Sequence, residues 1–406
     1  MKNLLRTLIL ALVRILGAPG AYTAAQRSPK GALPAPRILL IRPDHLGDLV
    51  MTTPVLQALR EQAPNAHITM MVGPWSSTVV ERHPALNQLI TCPFPGFQRA
   101  TQKPFEPYKL LLKTARALRH EHYDLAINLR RDFWWGAALL YLARIPYRIG
   151  YAIEPGTPFL TQALPFPSAE HSTISNLRLI STSLQTLGYP ALAEPYTPER
   201  YPLHFKPTAE EKQWIAERLL NASIEQADPI VVIHPGTGGD VKLWRTKAWS
   251  RIANTLMTKQ ILPTPTRIVL TGNPKERPML EEIAQGMTIP PLLMTDMTVG
   301  QLAALLARTQ LVLGVDNGPL HLATAQDTPT LRLFGPTDTH IFGPWGSSER
   351  HVVIASTQKC PTCPAIPCGR LDFRPDELPS HPCVRVITEE QVERAIMRMV
   401  EKTIFV

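Results

Sequence analysis

Three groups of residues in this chain are spaced to do chemistry. Asp48 stands in HLGDLVMTTP, directly after the apolar run RILLIR, where a strand ends and a helix opens. A carboxylate at that edge can accept a proton from a bound hydroxyl. Its bland alternative is a helix cap worth about 1 kcal/mol, and Asp44, two positions beyond Arg42, is a rival carboxylate in the same turn. In VVIHPGTGGDVKLW, the turn containing Gly236 and Thr237 lets backbone amides approach an anion, and Lys242 adds a point charge that would stabilise a departing diphosphate. The turn is not a Walker loop, because no GK[ST] ends it. In LVLGVDNGPLHLATA, Asp316, Asn317 and Gly318 occupy a second turn, with His321 at the start of the next helix. Amides there can hold an anionic group, and His321 either adds a hydrogen bond or charge to it or fixes the turn structurally. Thr337 and Asp338 follow a further strand and can line the same pocket, and Glu276 in LTGNPKE is placed to bind ribose hydroxyls.

A fourth group lies near the C-terminus. Cys360, Cys363, Cys368 and Cys383 fall within one proline-rich stretch. A CxxC pair with two further cysteines suits a tetrahedral zinc site, an iron–sulfur cluster less well, and two disulfides only in an oxidising compartment. Cys92 stands apart and reads as a small apolar packing residue. Trp244 and Trp249 likewise read as packing residues.

The elements that must position these groups form two βαβ series. RILLIR, HITMMV and DLAINL read as buried parallel strands separated by amphipathic helices, and PIVVIH, RIVLTG, PLLMTD, LVLGVD and TLRLFG repeat the pattern. Between the series, residues 191–207 carry prolines too closely spaced for a helix or central strand. The expected organisation is an N-terminal extension at 1–35, a Rossmann-like domain at 36–190, a linker at 191–207, a second Rossmann-like domain at 208–355, a Cys-rich segment at 356–387 and a closing helix at 388–406. The fold class is α/β, with two doubly wound domains that would face each other across a cleft, the architecture called GT-B when it transfers sugars. One half would present a base and the other would grip an anionic leaving group.

At 406 residues and 44% apolar composition the chain can bury two ordinary cores. The net charge of +9 comes without a compact basic run or an aromatic–basic stripe, which argues against nucleic acid and leaves a solvated basic surface or acidic small substrates. The 41 prolines are scattered through turns rather than gathered in one block. In MKNLLRTLILALVRILGAPG, Arg6 and Arg14 bracket only seven residues, too few to span a bilayer. The basic start and short apolar stretch resemble a signal peptide. The preferred reading is an interfacial helix that keeps the protein at the inner membrane surface, against the plain alternative of a helix packed on the protein.

In order, from about residue 36 to 350, the segments LGDLVMTTP, HPGTGGDVKLW, LTGNPKE, GVDNGPLHLA and LFGPTDTHIFGPWG resemble glycosyltransferase family 9, the heptosyltransferases of lipopolysaccharide core synthesis. The resemblance implies a GT-B fold and inverting transfer with no cofactor required for catalysis. It also implies a glycan or glycolipid acceptor in the N-terminal domain and a nucleotide-sugar donor, typically ADP-heptose, in the C-terminal one. By motif, Asp48 corresponds to the general base, Lys242 to the phosphate contact, and Asp316, Gly318 and His321 to the donor turn, with Glu276 a looser match. Asn317 stands where the family carries threonine or serine. Nucleotide-sugar chemistry implies a reducing cytoplasm and, for the cysteines, zinc or free thiols rather than disulfides. Two other classes compete: a nucleotide-binding module that no longer transfers anything and uses its cysteine tail for assembly, and a dinucleotide oxidoreductase. The latter would need a GxGxxG turn after a first strand, and neither series has one.

Overall fold

The computed structural model describes residues 2–26, 33–97, 103, 105–258 and 266–401. Residues 1 and 27–32 of the N-terminal extension and 402–406 of the closing segment lie outside the described residues. The chain divides into two compact units, Met1–Thr197 and Pro198–Val406.

The first unit runs α1 (Lys2–Gln26), β1 (Arg37–Arg42), α2 (Leu46–Val50), α3 (Thr53–Gln62), β2 (His67–Val72), β3 (Gln88–Thr91), α4 (Glu106–Arg119), β4 (Leu125–Asn128), α5 (Trp134–Leu142), β5 (Tyr147–Tyr151), β6 (Gln162–Leu164) and α6 (Ser172–Thr186). Its six strands pair in parallel in the order β3-β2-β1-β4-β5-β6. Central strands β1 and β4 are buried almost throughout because helices cover both faces, which is why they read as continuous apolar runs. β3 and β6 lie at the edges, half-buried or exposed and only four and three residues long, so they leave no such run.

The extension is a long helix, α1, whose Leu10 and Ala24 are buried. It packs along α5, where the Tyr141 hydroxyl donates to the carbonyl of Arg14 at 2.8 Å. On the opposite side Leu8, Leu12, Ile15, Leu16 and Tyr22 form an exposed stripe. By length and composition alone Arg6–Gln26 is long and apolar enough to cross a membrane, contrary to the expectation drawn from its arginines.

The second unit runs α7 (Ala209–Asn221), β7 (Ile230–His234), α8 (Thr246–Thr258), β8 (Arg267–Thr271), α9 (Arg277–Gln285), β9 (Leu292–Met294), α10 (Val299–Ala307), β10 (Leu311–Val315), α11 (Gly318–Ala325), β11 (Thr330–Phe334), α12 (Thr339–Phe342), β12 (His351–Ala355) and α13 (Glu389–Met399). Its sheet, also parallel, has the order β12-β11-β10-β7-β8-β9. Numbered within each unit, both sheets follow the doubly wound order 3-2-1-4-5-6. The chain therefore leaves in opposite directions after β1 and β4, and again after β7 and β10, opening a crevice at each carboxyl edge. Capping boxes start α7 (Thr208 with Glu211), α10 (Thr298 with Gln301) and α13 (Thr388 with Gln391), fixing where each helix begins. Val392, Ile396 and Met399 of α13 join the core beside α8 and β12, so this helix closes the second unit.

Candidate functional site: two switch-point turns

In the first unit, β1 ends at Arg42 and the short helix α2 opens at Leu46, with Asp48 in its first turn. The residue before the helix, His45, makes no side-chain cap. Asp44 and Asp48 differ sharply in what holds them. Asp44 is 2% exposed and forms ion pairs with Arg42, at 2.7 Å, and with Arg130. Asp48 is 30% exposed, with an Arg42 guanidinium nitrogen 3.6 Å away. Arg42 is itself anchored to the carbonyl of Leu129 at 3.0 Å and to Asn176 at 3.2 Å. Asp44 is thus a buried strut between two arginines, and Asp48 is the more exposed carboxylate of this turn.

Arg130, which follows β4 across the same switch point, was not legible in the sequence. Burial disfavours its charge, but Asp44 and then Asp132 outweigh that and hold its pKa above the ordinary arginine value. Its guanidinium also lies over the Phe97 ring at 5.0 Å. A charge adjacent to a strand end was the available signal.

The second unit brings its predicted residues together around the turns after β7 and β10. Lys242 Nζ donates to Asp316 Oδ2 at 3.2 Å, and Thr337 Oγ1 donates to the same oxygen at 2.7 Å. Thr237 Oγ1 reaches the Asp316 carbonyl at 3.4 Å. Lys242 and Asp316 are only 13% and 9% exposed, so their pairing is held in a partly desolvated turn. Asn317 caps α11, accepting from the Leu320 amide at 3.1 Å, while its Nδ2 donates to the Gly236 carbonyl at 2.8 Å. A threonine or serine there has one hydroxyl for both tasks, whereas the carboxamide caps with its oxygen and ties the two turns with its nitrogen.

Gly236 and Glu276 are in close approach: a side chain at Gly236 would stand 2.2 Å from Glu276 Oε1. The Glu276 carboxylate accepts from the Asn273 amide at 2.7 Å in a capping box, which holds it over the glycine turn. Asp338 caps α12, accepting from the His340 amide at 2.8 Å.

His321 is buried, and its Nδ1 lies 3.3 Å from Arg332 Nη1. Arg332, fully buried in β11, also donates to the Leu320 carbonyl at 2.7 Å and to Thr324 Oγ1. Burial pulls the Arg332 pKa down to about 9, with Asp316 acting against that, so the side chain stays charged at neutral pH. A fixed cation therefore sits near the β10 turn, with His321 beside it. Sequence reasoning missed Arg332, although an arginine inside the apolar run TLRLF was the visible sign. Trp244 and Trp249 pack edge to face at 4.7 Å in the core, and burial raises the Cys92 thiol to about 12, as for packing residues.

In the Cys-rich segment all four thiols are free, and Cys360, Cys363 and Cys383 are buried while Cys368 is partly exposed. His381, not anticipated from the sequence, joins them: Cys363 Sγ lies 3.4 Å from His381 Nδ1.

Residues 111–368 match the family model of glycosyltransferase family 9 (heptosyltransferase). A lipopolysaccharide heptosyltransferase 3 from Escherichia coli is 28% identical over 325 residues, 78% of this chain and 88% of its own length. A lipooligosaccharide heptosyltransferase 2 from Haemophilus ducreyi is 26% identical over 341 residues, 78% of this chain and 88% of its own. Among solved structures, a family 9 glycosyl transferase from Veillonella parvula superposes with a TM-score of 0.72 at 22% identity, covering 91% of this chain and 98% of that one. An Escherichia coli heptosyltransferase solved with ADP gives a TM-score of 0.63 at 20% identity, covering 89% and 99%. The shared architecture is GT-B.

Proposed function

Since this chain belongs to glycosyltransferase family 9 and is a glycosyltransferase, we propose that it moves heptose from ADP-heptose to a hydroxyl of a lipopolysaccharide core acceptor, with inversion at the anomeric carbon. The observation that carries this reading is the cluster of Lys242, Asp316, Thr337 and Thr237 at the switch point of the second sheet. It combines a cation, two hydroxyls and helix-start amides where open α/β sheets bind ligands. A nucleoside diphosphate is the chemistry that matches it. The similar Escherichia coli protein solved with ADP supports that donor class.

In this reading the second unit binds the donor. The diphosphate takes over the Lys242 ammonium from Asp316, and the amides after β7 and β10 hold its remaining oxygens, with Arg332 nearby adding a fixed charge. Glu276 lies where a ribose hydroxyl can donate to it. The first unit supplies Asp48. One carboxylate oxygen accepts the proton of the acceptor hydroxyl, and the hydroxyl's own oxygen attacks the anomeric carbon opposite the diphosphate. The bond from that carbon to the phosphate oxygen breaks, and ADP leaves with the electron pair. One displacement inverts the configuration, and no metal takes part in the step.

The exposed stripe of α1 supports a place at the inner membrane surface. Leu8, Leu12, Ile15 and Leu16 face away from the protein on a helix whose other side is held by α5, as an interfacial helix requires. The enzyme would then work in the cytoplasm on a lipid-anchored acceptor.

The test is transfer by the purified enzyme and by Asp48→Asn, using ADP-heptose and a heptose-acceptor core, with the product linkage assigned by NMR. Inverted product from wild type, and turnover reduced about 10²- to 10⁴-fold in the variant with ADP affinity unchanged, is expected. Retained configuration, or near-normal turnover by Asp48→Asn, would remove the mechanism.

A further inference from the structure

Two thiols of the C-terminal tail and one imidazole converge as metal ligands would. Donor atoms of Cys360, Cys363 and His381 all lie within 4.8 Å of one another, and all three residues are buried. Two ligands on one tetrahedral zinc ion, with Zn–S about 2.3 Å and Zn–N about 2.0 Å, stand about 3.5 Å apart. Cys363 Sγ and His381 Nδ1 are 3.4 Å apart. The imidazole is held for this: its Nε2 lies 3.4 Å from Thr362 Oγ1, and its ring lies 3.9 Å from the centre of Phe373. Metal-bound histidines usually have such a hydrogen-bonding partner on the far ring nitrogen. Cys383 is buried beside Cys360 and follows His381 by two residues, so both arrive on one turn. Cys368 lines the same cavity beside Cys363 but is partly exposed, unlike the other three thiols.

The same cluster touches both loops of the donor site. Val241, next to Lys242, lines the cavity with the thiols. A side chain at Gly335 would stand 3.1 Å from Cys383 Sγ, and the Gly369 amide donates to the Pro336 carbonyl at 2.7 Å, two links to the backbone just before Thr337.

We propose that Cys360, Cys363, Cys383 and His381 hold one structural zinc ion in a closed tetrahedral site, which staples the tail onto the loops carrying Lys242 and Thr337. The ligand set, three thiolates and an imidazole with no open position, is that of a structural rather than catalytic zinc. The staple's effect on nucleotide affinity rests on the donor reading above; the metal site itself does not.

Metal analysis of the full-length enzyme, purified without added metal under reducing conditions, should find one zinc per chain. Cobalt added to the metal-stripped wild type should give the intense visible bands of a tetrahedral thiolate site, a readout that needs no variant to fold. Cys360→Ser, Cys363→Ser, Cys383→Ser and His381→Ala should each lose the zinc, and Cys368→Ser should keep it. Stripping the metal from wild type should weaken ADP binding at least threefold. No metal and no cobalt spectrum would overturn the site, as would iron in zinc's place. Zinc kept by Cys383→Ser and lost by Cys368→Ser would overturn the ligand assignment. An ADP affinity unmoved by metal removal would overturn the staple. Failure of zinc-loaded wild type to bind ADP at all would instead count against the donor reading and leave the zinc site standing.

Discussion

Replacing Lys242 by Met tests the donor site most directly. Its ammonium lies 3.2 Å from Asp316 in a turn where both side chains are less than 15% exposed. A hydrogen bond to a charged group contributes about 1.5–3 kcal/mol, and each 1.36 kcal/mol is about tenfold in affinity. Loss of the phosphate contact alone should therefore weaken ADP binding by about 10- to 150-fold. Removing the lysine also leaves the Asp316 carboxylate facing the diphosphate without its cation, which adds repulsion. Adding Asp316→Asn to Lys242→Met should consequently recover part of the loss. Adenosine, which has no phosphate, should bind both variants within twofold of wild type. Calorimetric titration with ADP and adenosine, at fixed salt because the pair is partly screened, measures each quantity. Lys242→Met binding ADP within threefold of wild type would refute the placement of the diphosphate. An equal loss for adenosine would show a general disruption of the turn instead.

Leu12, Ile15 and Leu16 on α1 are 55%, 69% and 72% exposed, and burying each in lipid is worth about 1–2 kcal/mol at these exposures. Changing all three to Ser should reduce sedimentation with anionic vesicles at least about 100-fold, and unchanged partitioning would sink the surface-docking reading. Burial holds His234 down at about 4, with its Nδ1 2.9 Å from the Thr271 hydroxyl. The unfolded chain takes up that proton near 6.5, so the stabilisation is complete above pH 6.5 and is lost as pH falls toward 4. About 2 kcal/mol should disappear between pH 7 and 5. Urea unfolding of His234→Asn should show a correspondingly flatter pH dependence, and an identical slope would contradict it. Gly314 lies in β10, where a Cβ would come within 2.6 Å of both the His234 carbonyl and Leu320 Cδ1. Gly314→Ala should cost about 1–3 kcal/mol by overpacking and lower the melting temperature by several degrees. A melting temperature equal to that of wild type would show that the strands can move apart freely.

The fold class was legible because parallel strands buried on both faces must be apolar along most of their length, and RILLIR, HITMMV, PIVVIH and LVLGVD are. The helix starts at Thr208 and Thr388 were equally legible, since a capping box is a local bargain between residues three apart. What escaped were β3, β6 and β12 at sheet edges and the interior strand β5. Half-buried residues suffice in β3 and β6, so no apolar run marks them, and β5, YRIGY, carries a single aliphatic residue.

For the candidate site, the sequence alone determined which local turns could bind or react, because each turn's chemistry is written in neighbouring residues: Asp48 after β1, Gly236 to Lys242 after β7, Asp316 to Gly318 after β10. Only tertiary structure decided which charges meet. Asp44 and Asp48 are four residues apart and look alike in the chain, yet Arg130, 86 positions beyond Asp44, pairs with Asp44 as a buried strut, while Asp48 stays 30% exposed. Arg332 is an anomaly in a strand until the fold sets it near the Asp316 turn, and His381 is an ordinary histidine until the tail folds it against Cys363. Electrostatic and coordination partners are chosen by distance in space, and separation along the chain carries almost no information about that distance. The sequence therefore determined the candidate donors and acceptors, and the packing of the sheets decided their partners.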